Sequence, residues 1–263
     1  MRVMAFMSAM ALVGVSNAAV LFSDDFNAYP NGNLVTTPAN GGWAERSAGS
    51  NPIQVTGGVV SLTSTGQDAV SPIVPSISFD PTLNPSSIGF SFYLAADVNI
   101  STAKTGDYFL HTSGSPTSSS FQSRVYVRSE GTGFAFRTPV TSNPPTYGTE
   151  VLNLNETYRV VVRYTVNEGA SNDAVSLFAF PLSALPASEP AIAYATNVQS
   201  GSGDASGLGS VNLRQGATAS GPILTVDNIL VTDDFNQVVP EPAALSLLGL
   251  SSLLLGRRRA RRQ

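Results

Sequence analysis

The residue types that most often carry chemistry are few in this 263-residue chain. There is one histidine, His111, and no cysteine. Without cysteine there is no disulfide, thiolate nucleophile or thiolate metal site. One histidine cannot build a multi-histidine metal centre. As the single candidate base for a serine nucleophile, His111 has no Gly-x-Ser-x-Gly elbow to serve. It precedes Thr112-Ser113-Gly114, a strand running into a loop, and reads as a half-exposed strand residue. Carboxylates are more numerous. A retaining glycosidase needs two of them about 5 to 5.5 Å apart, which positions i and i+2 of one strand supply because they share a face. None of Glu45, Glu130, Glu150, Glu156, Glu168, Glu189 and Glu241 has such a neighbour on an alternating strand. Asp24-Asp25 and Asp233-Asp234 are adjacent, so on strands they face opposite ways. Phosphate-loop, dinucleotide and EF-hand patterns are absent from the sequence. No catalytic residue and no metal ligand is assigned, no cofactor is expected, and the expectation is a non-enzyme. The alternative is a divergent polysaccharide hydrolase or lyase whose carboxylates converge from distant loops.

Binding chemistry is easier to find. Between Ala19 and Val239 the chain has eight basic and seventeen acidic residues, an acidic balance that disfavours nucleic acid and anionic lipid. Five of the eight bases, Arg124, Arg128, Arg137, Arg159 and Arg163, fall on the outward positions of three predicted strands, and Tyr126 shares the row of Arg124 and Arg128. Guanidinium forks match carboxylate and sulfate groups, and a tyrosine ring offers a flat apolar surface to a sugar. If those strands are neighbours, Arg124, Tyr126, Arg128, Arg159 and Arg163 form a stripe for an acidic polysaccharide. The plainer reading is a solvated sheet face with cross-strand charge pairs. For a structural calcium, Asp25 and Asp227 are the pair to inspect, although no run of alternating Asp/Asn ligands accompanies them. Trp43 is expected in the core.

The elements that must position these residues are strands. Apolar residues alternate with period two, between clusters of Gly, Pro, Asn and Ser, and helical periodicity is missing. Residues 88–95 place Ile88, Phe90, Phe92 and Leu94 on one face. In residues 121–129, Phe121, Val125 and Val127 oppose Arg124, Tyr126 and Arg128. Phe134 and Phe136 point inward. Tyr158, Val160, Val162, Tyr164 and Val166 oppose Arg159, Val161, Arg163 and Thr165. Residues 175–180 are apolar on both faces, like a central strand, and residues 223–231 close the domain. Weaker strands are expected at 20–26, 52–55, 59–63, 108–112, 191–194 and 209–214. Residues 113–120 and 200–209 read as loops, and residues 147–156 and 183–190 as loops or a single helical turn. About a dozen strands make one antiparallel β-sandwich.

The two ends have a different composition. Arg2, an apolar stretch over residues 3–15 and the small residues Ser16-Asn17-Ala18 read as a secretory signal helix, cleaved after Ala18 or Ala19. At the other end, Pro240-Glu241-Pro242 breaks the chain. Residues 243–255 are uncharged and apolar, and Arg257, Arg258, Arg259, Arg261 and Arg262 follow. Thirteen helical residues span only about 20 Å, short of a hydrocarbon core of roughly 30 Å. The basic end would stay cytoplasmic. This order resembles the PEP-CTERM sorting signal of Gram-negative bacteria. That resemblance implies a transient inner-membrane anchor, with Pro240, Glu241, Pro242, Arg257, Arg258 and Arg259 as its signal. It also implies processing by an exosortase-type membrane protease and delivery to the cell surface or extracellular matrix. Membrane contact would be limited to this segment.

The body, from Asp24-Asp25-Phe26-Asn27 through Trp43 to Val226-Asp227-Asn228-Ile229, resembles a concanavalin A-like (LamG-like) jelly roll. The resemblance implies that first and last strands pair, bringing Phe26 near Ile229. The expected organisation is a signal peptide (1–18), a β-sandwich (19–237) and a sorting segment (238–263). The whole is a secreted surface or matrix protein with a structural or adhesive, carbohydrate-binding body.

Overall fold

The computed structural model describes residues 18–36, 39–80, 82–139, 146–199 and 203–239. Of the expected signal helix only Ala18 is among the described residues, and the expected sorting signal from Pro240 onward lies outside them. No helix among the described residues is long and apolar enough to cross a membrane. The strands are β1 (Val20–Asp24), β2 (Gly32–Asn33), β3 (Ala44–Ser47), β4 (Gln54–Thr56), β5 (Val59–Leu62), β6 (Asp68–Ser78), β7 (Ser91–Thr102) and β8 (Asp107–Ser113). They continue with β9 (Phe121–Glu130), β10 (Gly133–Thr138), β11 (Thr146–Tyr147), β12 (Thr157–Thr165), β13 (Ala174–Pro181), β14 (Ala195–Val198), β15 (Gly207–Leu213) and β16 (Ile223–Thr232). One short helix, α1 (Phe235–Val238), follows.

Two antiparallel sheets result. The nine-stranded sheet runs β14-β13-β12-β7-β16-β5-β4-β2, with β1 also on β16; the seven-stranded sheet runs β11-β10-β9-β8-β15-β6-β3. β16 is shared along its length: Leu224 to Val226 pair with β5, and Ile229 to Thr232 pair with β1. First and last strands therefore do pair, with Asp24 opposite Ile229. Their continuation puts Phe26, Ile229 and Trp43 in one core.

Period-two alternation builds that core. Phe92, Leu94, Ala96, Val98 and Ile100 of β7 and Tyr158, Val160, Val162 and Tyr164 of β12 face inward. They meet Val125 and Val127 of β9 and Phe134 and Phe136 of β10 from the other sheet. The turn after β1 is clamped by Asp24, which accepts bonds from Phe26 N (2.9 Å), Tyr29 Oη (2.6 Å) and Trp43 Nε1 (2.7 Å). The clamp holds Phe26 at φ +53°, a left-handed conformation a non-glycine residue rarely takes.

Several elements depart from the sequence expectation. The eleven-residue β6 is unanticipated because it carries Pro72 and Pro75, which cannot donate to a ladder. The pairing skips there: Pro72 lies opposite Ser210, and the next pair is Ile77 with Leu208. The strand expected from residue 88 starts at Ser91, after Gly89 at φ +78°, and Ile88 is exposed. The strand expected at 191–194 forms instead at β14. Tyr147, expected in a loop, belongs to β11. β13 is not central. It is buried on both faces because a second, smaller cluster covers its outer side. In that cluster Phe235, Val238 and Val239 sit on Tyr93, Ala95, Val161 and Phe178. The folded body thus continues through Val239.

Candidate functional site

Two bulges between β8 and β9 shape the outer face of the seven-stranded sheet. Tyr108 lies opposite Tyr126 and Leu110 opposite Val125, so β8 spends two residues on one step of β9. Thr112 then lies opposite Gln122, so β9 spends three on two of β8, and Ser123 in that stretch has φ +53°. The first bulge lets both Phe109 and Leu110 reach the core. The second turns Phe121 over. Strict alternation assigns Phe121 to the side of Val125 and Val127, but its ring lies 4.5 Å from that of His111, on the outer face.

On that face a row of side chains crosses four strands in register. Tyr147 pairs with Arg137, Arg137 with Tyr126, and Tyr126 with Tyr108. At about 4.8 Å per strand the row is about 14 Å long. Guanidiniums lie over its rings. Arg137 is 4.2 Å from the Tyr126 centroid and 4.5 Å from Tyr147; Arg128 is 3.7 Å from Tyr147; Arg214 is 4.2 Å from Tyr108. Arg124 sits between Tyr108 (5.4 Å) and Tyr126 (5.6 Å), and Arg46 lies 5.2 Å from Phe121. These are cation–π distances, worth about 0.5 to 1 kcal/mol each where solvent reaches them.

The charge on this face is poorly compensated. Arg128 pairs with Glu130 at 2.6 Å and Arg214 with Asp107 at 2.5 Å. Arg46, Arg124 and Arg137 form no ion pair with the described residues. Arg46 donates to the carbonyls of Pro116 and Ser118. The Nε atoms of Arg124 and Arg137 are buried without a hydrogen-bond partner. Burial pulls the Arg137 pKa down, and Arg128 and Arg124 add to this, while Tyr147 and Tyr126 oppose it. Burial also raises the hydroxyls of Tyr108 and Tyr147. His111 is not half-exposed as expected. It is 3% exposed, and burial followed by Arg124, Arg46 and Arg214 keeps it neutral.

Of the residues proposed from the sequence, Arg124, Tyr126 and Arg128 come together here, and Arg137 joins them. Arg159 and Arg163 do not; this corrects the single stripe. Both belong to β12 of the other sheet. The Arg159 side chain is 6% exposed and pairs with Asp97 at 3.2 Å; its Nε and Nη1 donate to Val238 O (2.7 Å) and Asn228 O (2.8 Å). Arg163 pairs with Glu189, which also accepts from Tyr93 Oη. Outward parity is right for both arginines, but α1 and the chain around Glu189 occupy that face. Sequence reasoning missed Tyr108, Tyr147, Phe121, Arg46 and Arg214. The first two were visible as tyrosines, but the bulge and the pairing that bring them together leave no pattern in the sequence.

A pocket of about 650 Å³ lies near the first turn, lined among others by Asp24, Asp25, Asp97, Arg159 and Asn228. Its carboxylates are engaged: Asp24 as above, Asp97 by Arg159 and by Asn228 Nδ2 (2.8 Å), and Asp25 by Asn27 N (3.1 Å). Asp227 accepts from Asn228 N, and its pKa is raised by burial and by Asp97 and Asp25. Among the described residues, no group of three or more His, Cys, Asp or Glu could hold a metal ion. Asp25 and Asp227 each accept a bond from a backbone N–H nearby in sequence.

No family model matches the sequence, and no curated protein matches it either. Solved structures do resemble the fold. The CBM2 module of the evolved Dit protein of Lactobacillus casei BL23 phage J-1 is 12% identical, with 82% of this chain and 96% of that chain covered and a TM-score of 0.48. Domain 4 of AbnA, a GH43 extracellular arabinanase from Geobacillus stearothermophilus, is 11% identical, with 82% and 93% covered and a TM-score of 0.46. A heptameric SAP-like pentraxin from Limulus polyphemus is 10% identical, with 65% and 73% covered and a TM-score of 0.40.

Proposed function

We propose that this chain is an exported bacterial surface or extracellular-matrix protein whose β-sandwich binds an acidic polysaccharide without cleaving it. The observation that carries the binding role is the row Tyr147–Arg137–Tyr126–Tyr108, flanked by Arg124 and Arg128, on an otherwise acidic body. Guanidiniums stacked over a line of tyrosine rings suit the acidic substituents of a polymer, and the rings beneath them supply apolar surface for its sugars. Three guanidiniums without a carboxylate partner among the described residues leave positive charge for a ligand to neutralise. Export and sorting are supported by sequence alone: the leader ending at Ala18, and Pro240-Glu241-Pro242 followed by an apolar stretch and Arg257, Arg258 and Arg259. In this reading a membrane protease of the exosortase type handles the tail, and the body is delivered outside the cell.

The test is binding of the full-length chain to a panel of neutral and acidic polysaccharides in low and high salt, with reducing ends assayed alongside. Saturable, salt-sensitive binding to the acidic polymers, with no new reducing ends, is expected. Changing Arg124, Arg128 and Arg137 together to Gln should weaken it at least about tenfold, since one charge-assisted hydrogen bond is worth about 1.5 kcal/mol or more. Equal binding of neutral polymers, or an unaffected triple variant, would overturn the site. New reducing ends would replace binding by hydrolysis or lysis.

A further inference from the structure

One end of the aromatic row differs from the rest. His111 is buried there beneath Phe121 (4.5 Å) and Tyr108 (5.3 Å), and neither ring nitrogen has a hydrogen-bond partner. Buried polar atoms are rarely left unpaired, and such a pair of ring nitrogens calls for an explanation. The charged groups acting on it come from three other strands or their ends: Arg46 from β3, Arg124 from β9 and Arg214 just past β15. The only carboxylate pairing any of these three within the described residues is Asp107, on Arg214. Arg46 over Phe121, with Arg124 and Arg214 over Tyr108, thus surrounds with cations the two rings that cover an imidazole with hydrogen-bonding capacity to spare.

We propose that Arg46, Arg124 and Arg214 with His111 form an oxyanion subsite that takes a sulfate group of the polymer. The proposal rests on the reading of this face as a polysaccharide surface and names the substituent that it selects. A planar carboxylate is satisfied by one guanidinium fork, whereas three terminal sulfate oxygens can use three. Arg124 and Arg46 lie over aromatic rings rather than against carboxylates, so Arg124 can turn to an arriving anion without breaking an ion pair, and Arg46 can do so by exchanging its bonds to the Pro116 and Ser118 carbonyls for bonds to the anion. Where the Phe121 and Tyr108 rings that bury it shift with them, an imidazole N–H becomes a further donor. Neutralising the three cations also removes the repulsion that opposes protonation of His111, so sulfate and a proton bind together.

His111 is the only histidine, so its ring signals in an ¹⁵N-labelled full-length chain need no assignment. The chain, in nonionic detergent, is titrated at constant ionic strength with inorganic sulfate, with a sulfated disaccharide and with glucuronate. Sulfate and the sulfated sugar should shift the His111 ring signals saturably and move its titration midpoint upward. Glucuronate should act at least about tenfold more weakly, and Arg124→Gln should weaken the sulfate effect by a similar factor. Arg163→Gln, on the other sheet, should leave it unchanged. Unmoved His111 signals with polysaccharide binding intact would refute the subsite alone. Loss of both signals would refute the polysaccharide reading too. Glucuronate acting as strongly as sulfate would overturn the sulfate assignment.

Discussion

The outer faces of the two sheets solve the same problem in opposite ways. Each carries outward arginines on alternating strands. On the nine-stranded sheet the chain returns and covers Arg159, while Arg163, at 37% exposure, is held by Glu189. Phe235, Val238 and Val239 close over Tyr93, Ala95, Val161 and Phe178, and Arg159 is sealed beneath with Asp97. On the seven-stranded sheet the arginines rest on Tyr108, Tyr126, Tyr147 and Phe121, half-buried but open to solvent. A guanidinium sealed by its own chain is structural. One resting on aromatic rings, with no carboxylate, is available to a ligand. The two kinds cannot be told apart by residue type or by strand parity.

The comparison is most severely tested by removing the sealed cation. Arg159→Met leaves Asp97 unpaired at 14% exposure, and should cost about 3 to 5 kcal/mol in denaturant unfolding. Polysaccharide binding by the folded fraction should be unchanged. A loss below 1 kcal/mol would mean that the C-terminal cover is not holding a buried ion pair. The open face should behave in reverse. Arg137→Gln or Tyr126→Ala should change stability by about 1 kcal/mol or less, yet weaken binding to an acidic polymer severalfold. A stability loss as large as that of Arg159→Met would show that the row is structural.

The smallest effect distinguishes the two faces by pH. His111 is held neutral in the fold, well below its ordinary value of 6.5, by burial and by Arg124, Arg46 and Arg214. Below about pH 6.5 the unfolded chain therefore binds the proton that the folded chain refuses. This contribution to stability is full above pH 6.5 and declines as pH falls through and below that value. The unfolding midpoint of wild type should accordingly fall relative to that of His111→Phe on acidification from pH 7.5 to pH 5.5, a window of about one unit either side of the ordinary value. Parallel curves would show that His111 titrates normally.

The sequence by itself determined the strand character and the main core faces; the pairing of the ends was implied by the resemblance to a concanavalin A-like jelly roll. Alternation of apolar and polar residues is local, and a strand with one buried face must display it. It is why β7, β9, β12 and β16 were legible. It also placed Arg124, Tyr126 and Arg128 on one outward row. What only the tertiary structure decided is which rows are neighbours and what covers them. Strand order in a sheet depends on pairing between distant segments, so Arg128 and Arg159 could look alike and yet lie on different sheets. A bulge at Ser123 costs one residue and reverses the face of Phe121, with no mark in composition or spacing. A cover such as α1 depends on a chain reversal past Asp233-Asp234, not on β12. Parity decided that Arg159 points outward, and only the packing of the chain end over it decided that it is buried.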